Sequence, residues 1–181
     1  TRARAIVFVT IGAAFMSGLD LFVVNVAFDP IGVSLGVGTS GGPSMADLSW
    51  ILNIYAVVFA ALLVPFGRLA DRYGRKHIFV FGLALFVLAS AACALSGNVW
   101  MLVVFRGLQA AGAAAMTPAS LSILMASLPQ HRRLAGVRMW SAVGAIAAAM
   151  GPTVGGFLAQ FAWQWVFLIN VPIGIALLWF A

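Results

Sequence analysis

Long apolar stretches alternate with short polar ones along this chain, and the apolar stretches are nearly uniform in length. Closed runs occupy about 5–28, 48–66, 78–96, 99–126 and 136–161, and a sixth, 166–181, is still apolar at its last residue. A helix needs roughly twenty mostly apolar residues to cross about 30 Å of hydrocarbon, and each closed run meets that length. The period-two alternation of a membrane barrel strand is absent. The pattern therefore predicts an all-α membrane protein of six spans. With no initiator methionine and a sixth run left open, residues 1–181 read as one piece of a longer chain.

Composition agrees. The chain is 64% hydrophobic and 8% charged, with a mean hydropathy of +1.09, whereas about a quarter of the residues in a soluble domain are charged. Arg2 and Arg4 before an apolar run imitate a secretory signal, but run 5–28 is too long for a signal core and contains Asp20. Cys93 is alone, so no disulfide or thiolate metal site forms within the chain, and it reads as a buried structural thiol. His77 and His131 stand singly beside arginines as interfacial residues, and no metal site is expected.

The net charge of +6 would suit nucleic acid, but no basic patch with interleaved aromatics occurs, and the placement of the charges explains them better. Arg2 and Arg4 precede the first run. Arg68, Arg72, Arg75 and Lys76 fall between the second and third, and Arg132, Arg133 and Arg138 between the fourth and fifth. In an alternating six-span layout all of these share one side, and loops 29–47, 97–98 and 162–165 contain no Lys or Arg. Such a bias predicts that the N-terminus and the basic loops are cytoplasmic; the expected location is the plasma (inner) membrane. Trp50, Trp100, Trp163 and Trp165 are expected in the opposite aromatic belt.

Two charges remain inside the spans. An ionised side chain in hydrocarbon costs from about 2.5 to over 10 kcal/mol, so it faces a cavity and has a partner. At 1.5 Å per residue, Asp20 lies about 24 Å from the inner end of the first span and Arg106 about 12 Å from the outer end of the fourth, which places both in the outer half as potential neighbours. Two readings are open: a protonatable carboxylate with a switching arginine, or a permanent pair that positions helices. Burial raises the pKa of a carboxylate and a nearby cation lowers it, so a group between these influences can exchange a proton as its surroundings change. Asn25, Asn53, Tyr55 and Gln109 are candidates to line a substrate cavity, with interhelical hydrogen bonding as the alternative. Phe15, Met16, Met116 and Met125 offer soft apolar surface for varied ligands. In the fifth run, "GAIAAAMGPTVGG" places glycines at spacings of four around Pro152, a pattern for close helix packing at a bend.

The stretch "GRLADRYGRK", residues 67–76, reads as a charged turn between the second and third spans, with Asp71 within reach of Arg75. It resembles the signature Gly-x-Leu-Ala-Asp-Arg-x-Gly-Arg-Lys of major facilitator transporters over all its positions. "RGLQAAGAAAMTP" from Arg106 resembles the fourth-span motif of that superfamily, with Ala110 where glycine is common. "GPTVGG", with Gly151, Pro152, Gly155 and Gly156, matches the fifth-span antiporter motif. "LDLFVVNVA" and "WQWVFLINVPIG" resemble the fourteen-span drug:proton antiporters (the EmrB/QacA branch), with Phe22 for the usual Thr and Gln164 for Arg.

This resemblance implies a six-helix N-terminal bundle, with the C-terminal half of the transporter missing from this chain. It further implies proton-coupled efflux of small amphiphilic drugs or toxic compounds by alternating access, powered by the proton gradient with no cofactor. Asp20 and Arg106 would couple protons. Gly67, Arg68, Asp71, Arg72, Gly74 and Arg75 would form a gating latch, with the two glycines permitting close packing. The expected partners are the lipid bilayer, protons, the substrate and the missing half, and no nucleic acid. Export of one specific metabolite, lipid or peptide, or a non-transporting membrane component, are the alternatives. A membrane enzyme is not expected: no nucleophile–base set, metal cluster or phosphate loop is present.

Overall fold

The computed structural model describes residues 2–181, and side-chain surroundings from residue 5 onward. Its helices in chain order are α1 (Arg2–Val26), α2 (Phe28–Ser34), α3 (Met45–Tyr73), α4 (Arg75–Ala94), α5 (Val99–Ser127), α6 (Arg133–Ala159), α7 (Trp165–Leu168) and α8 (Asn170–Phe180), with a 3-10 turn at Gln130–Arg132. No strand occurs among the described residues. Five of the helices are long and apolar enough to cross a membrane, and Trp165–Phe180 is a shorter apolar segment.

Local chemistry sets several boundaries. Ser44 caps α3: its Oγ accepts from the Asp47 backbone N–H at 3.1 Å, and the Asp47 carboxylate accepts from the Ser44 N–H at 2.9 Å. Asn98 caps α5 through the Met101 N–H at 2.8 Å. The sixth span is interrupted at Ile169, where Pro172 has no N–H to offer the Leu168 carbonyl. Expected as 166–181, it is thus two pieces, α7 and α8.

The charged stretch 67–76 is not a turn. Helix α3 continues through Arg68, Asp71 and Arg72 to Tyr73, and α4 begins at Arg75, so the junction is Gly74 alone. Its φ of +100° is a left-handed conformation that an L side chain rarely adopts. Five charges therefore ride on two helix ends that meet at one glycine. Gly67, expected to allow a close approach, meets only ordinary contact here: a Cβ there would lie 3.9 Å from the Pro118 Cβ.

Packing follows the small residues. Helix α6 lies along α1, and a Cβ added at Gly151 would lie 2.6 Å from the Phe22 Cβ, while one at Gly155 would lie 2.5 Å from the Val23 carbonyl oxygen. The two backbones can approach this closely only because these positions lack side chains. Gly156, one residue on, faces Val26 Cγ1 at an ordinary 3.6 Å.

The interior is divided into two apolar clusters. One gathers Val9, Ala13, Met16, Phe79, Phe86, Met116 and Leu177. The other gathers Val23, Ile31, Leu48, Ile51, Cys93, Val103 and Phe167. Met16 and Met116, expected as adaptable ligand surface, are fully buried core residues. Trp163, expected in an interfacial belt, is buried edge-to-face against Phe167, with ring centroids 6.1 Å apart. Cys93 is a buried free thiol.

Replacing Gly155 by Val should force α1 and α6 apart and cost about 1–3 kcal/mol, the usual range for overpacking. Gly156→Ala should be tolerated. Thermal unfolding of the full-length protein in detergent checks both, and equal loss in the two variants would contradict this packing.

Candidate functional site

Between the two apolar clusters lies a polar layer that sequence reasoning located only in part. Asp20 on α1 and Arg106 on α5 are 0% and 1% exposed, and Arg106 Nη1 donates to Asp20 Oδ2 at 2.6 Å. The depth arithmetic that made them potential neighbours is matched by direct contact.

Three further polar side chains complete the layer. Gln109 Oε1 accepts from Arg106 Nη1 at 2.6 Å. Gln109 Nε2 donates to Asp20 Oδ1 at 2.9 Å and to Ser90 Oγ at 2.7 Å. Ser90 on α4 passes its own hydrogen to the Phe86 carbonyl at 2.7 Å. Asn170, the first residue of α8, donates from Nδ2 to Asp20 Oδ1 at 2.7 Å. Gln109, expected to line the substrate cavity, is 0% exposed and belongs instead to this network. Its position one helical turn from Arg106 makes it the arginine's bridge to the acid.

The guanidinium is also held by π-faces and backbone. Its Cζ lies 4.3 Å from the Tyr55 ring centroid and 5.8 Å from that of Phe167, and Nε donates to the Ile51 carbonyl at 3.4 Å. Aromatic faces attract a cation most strongly when it is desolvated. Six helices, α1, α3, α4, α5, α7 and α8, thus converge on one charge pair and its hydrogen-bond partners.

Beside this layer is a cavity of about 480 Å³ between α1, α3, α5 and α6. Ser17, Tyr55, Phe59, Thr117, Trp140 and Ser141 contribute to its wall. Of the four expected cavity residues only Tyr55 lines it; Asn25 and Asn53 are exposed elsewhere on α1 and α3. The Tyr55 ring stacks on Phe59 with the planes 7° apart, so one ring touches both the cavity and the buried arginine. Sequence reasoning missed Ser90 and Asn170 in the layer, and Ser17, Thr117, Trp140 and Ser141 in the wall. A single amide in the otherwise apolar run "FLINVPIG" was the available signal for Asn170.

A larger groove of about 840 Å³ runs between α1, α6 and α8, lined by apolar residues such as Phe8, Phe15 and Leu177. It offers no charged side chain and lies apart from the polar layer. At the α3–α4 junction, Arg75 Nη2 approaches Asp71 Oδ1 at 3.2 Å, with both side chains substantially exposed. Such an exposed pair contributes at most about 1 kcal/mol.

The profile of the Major Facilitator Superfamily matches residues 10–181. This chain belongs to that superfamily. That superfamily is one of transporters, not enzymes. The chain is 46% identical over 165 residues to the methylenomycin A resistance protein of Bacillus subtilis, covering 90% of this chain and 34% of that one. The tetracenomycin C resistance and export protein of Streptomyces glaucescens is 42% identical over 136 residues, or 75% of this chain and 25% of that protein. The probable multidrug resistance protein EmrY of Escherichia coli is 36% identical, covering 92% of this chain and 31% of its own. The chain thus spans about a third of the length of the curated relatives it matches.

Among solved structures, the proton:xylose symporter XylE superposes with a TM-score of 0.81 at 15% identity, over 98% of this chain and 43% of that one. A bacterial homologue of the lysosomal transporter Spinster gives 0.79 at 19% identity, over 100% and 43%. These likenesses establish the major facilitator fold for the bundle described above.

Removing one member of a buried pair strands the other charge and typically costs 3–5 kcal/mol. Arg106→Leu should therefore destabilise the full-length transporter by about that amount, and adding Asp20→Asn should restore much of the loss. Chemical unfolding in detergent of the two single variants and the double reads this coupling. Additive losses would contradict it.

Proposed function

We propose that this chain supplies one wall of a drug-efflux transporter, which exchanges small amphiphilic compounds for protons across the plasma membrane by alternating access. The observation that carries this reading is the contact between a buried acid–arginine pair and a substrate-sized cavity through the single ring of Tyr55. The resistance and export functions named for the relatives support the cargo class. The crowding of basic residues at one set of loops supports a cytoplasmic N-terminus.

In this mechanism Asp20 is ionised while it holds Arg106, Gln109 and Asn170. Opening of the cavity to the other side lets a proton reach Asp20, the ion pair loses its charge complementarity, and the guanidinium relaxes against Tyr55. Movement of that ring changes the cavity wall and releases the cargo. Asp71 and Arg75, with Arg68, Arg72 and the Gly74 junction, form the latch at the basic end. Their exposure in this chain leaves them accessible to the half of the transporter that faces them. Helix α6, with Pro152 and the Gly151/Gly155 face against α1, is the smooth surface along which the bundle rocks.

The aromatic and hydroxyl-bearing wall suits neutral, partly polar ring compounds. Several relatives are named for resistance to single antibiotics, which favours, as a second reading, export of one specific compound.

In proteoliposomes holding the full-length protein, Asp20→Asn should lose at least about tenfold in proton-driven efflux, the scale set by removing one essential charged interaction, while expression is maintained. Undiminished efflux would remove Asp20 from the mechanism. Tyr55→Phe should keep coupling because the ring face remains on Arg106, whereas Tyr55→Leu should still bind cargo but no longer stimulate proton flux when cargo is added. Equal coupling in both variants would show that the ring does not connect cavity and pair.

A further inference from the structure

Asn170 is fully buried, and while its amide nitrogen is used, its carbonyl oxygen is not. Among the described residues the buried side-chain polar atoms with no hydrogen-bond partner are Trp163 Nε1, a donor, and Asn170 Oδ1. Asn170 Oδ1 is thus the one unoccupied buried side-chain acceptor described, and it belongs to a residue already bonded to Asp20. Leaving a buried acceptor unmet costs about 1–3 kcal/mol, and such atoms are rare enough to call for a reason.

The hydrogen-bond inventory of Asp20 supplies one. The ionised carboxylate accepts three donors: Arg106 on Oδ2, and Gln109 and Asn170 on Oδ1. A carboxylic acid in the same place has an O–H that must find an acceptor. The nearby side-chain acceptors each already hold one donor: Gln109 Oε1 takes Arg106, and Ser90 Oγ takes Gln109 while donating to Phe86. Arg106 offers donors only. Asn170 Oδ1 is free. The two ends of a side-chain amide are nearly the same size, so a half-turn about the terminal torsion exchanges donor for acceptor in the same space.

We propose that Asn170 is the positioning residue that follows the protonation state of Asp20. It donates from Nδ2 to the carboxylate, and its amide turns over to accept at Oδ1 from the carboxylic acid. The only bond formed is the O–H on Asp20, whose proton comes from the aqueous side open at that moment and returns to the other. The Asp20 carboxyl is then hydrogen-bonded in both protonation states without moving a helix, and the unmatched end of the Asn170 amide changes from its oxygen to its nitrogen. The titratable groups close to Asp20 from the other elements are Arg106 on α5, Tyr55 on α3 and Cys93 on α4. The amide, being neutral, reverses its polarity without adding a charge. The inference rests on the reading that Asp20 exchanges protons, and its test separates the two.

The test is a pH-difference infrared titration of the full-length transporter in lipid, with the carboxylic acid C=O band of Asp20 identified by its loss in Asp20→Asn. In the wild type the band should lie at the lowered frequency of an acid whose O–H is donated. In Asn170→Leu it should move up towards that of an undonated acid. A wild-type band already at the undonated position, or a band unmoved in Asn170→Leu, would overturn the inference and leave proton exchange at Asp20 standing. The wild-type position needs no Asn170 variant, so the inference stays testable if Asn170→Leu does not fold. Absence of any titrating band that Asp20→Asn removes would overturn both the inference and the reading beneath it.

Discussion

A guanidinium within a bundle of apolar helices is the constraint around which this structure is arranged. Arg106 heads the fully buried side chains by volume, and an isolated charge there would cost many kcal/mol in lost hydration. Its ionic, amide, carbonyl and aromatic contacts come from α1, α3, α5 and α7. Asp20 in turn draws in α8 through Asn170, and Gln109 draws in α4 through Ser90. Satisfying one arginine therefore fixes the mutual placement of most of the bundle. The apolar clusters on either side can be conventional close packing because the polar layer between them sets the register.

Under the proposed function, the same arrangement makes the centre responsive. Apolar packing does not change with protonation, whereas the attraction between Asp20 and Arg106 does. Helix α6 takes no part in the polar layer and meets α1 through glycines, so the surface expected to slide is separate from the surface that holds charge. Tyr55 lies where the two meet, one face towards Arg106 and the other side in the cavity wall. A ring is suited to that place: it tolerates small displacements of the cation while carrying them to whatever fills the cavity.

How much of this is legible in the sequence depends on which physical signal each feature leaves. Membrane spans leave a strong one, because an unbroken run of some twenty apolar residues is rarely compatible with a water-exposed helix. The Asp20–Arg106 pairing leaves a usable one, since two intramembrane charges of opposite sign at similar depth have few other partners. Stretch 67–76 reads as a turn because charge and glycine are loop signals, although Arg, Leu, Ala, Asp and Arg can all extend a helix and only Gly74 breaks it. The cavity is the least legible. Exposure of Asn25 and Asn53 against burial of Gln109 depends on which face of each helix turns inward, and these helices are apolar nearly all round, so their amphipathicity does not report it. Asn170 and Ser90 escape notice because a lone amide or hydroxyl in an apolar run marks a site only when the opposing group is known.

The central claim, that the buried acid of this layer exchanges a proton as the cavity fills and empties, is tested most directly by proton release from the purified full-length transporter. An antibiotic whose efflux it supports would be added to protein in a weakly buffered solution containing a pH indicator. Release of protons by the wild type and none by Asp20→Asn, with cargo still bound in both, is the result this account expects. Equal release from the two proteins would contradict it.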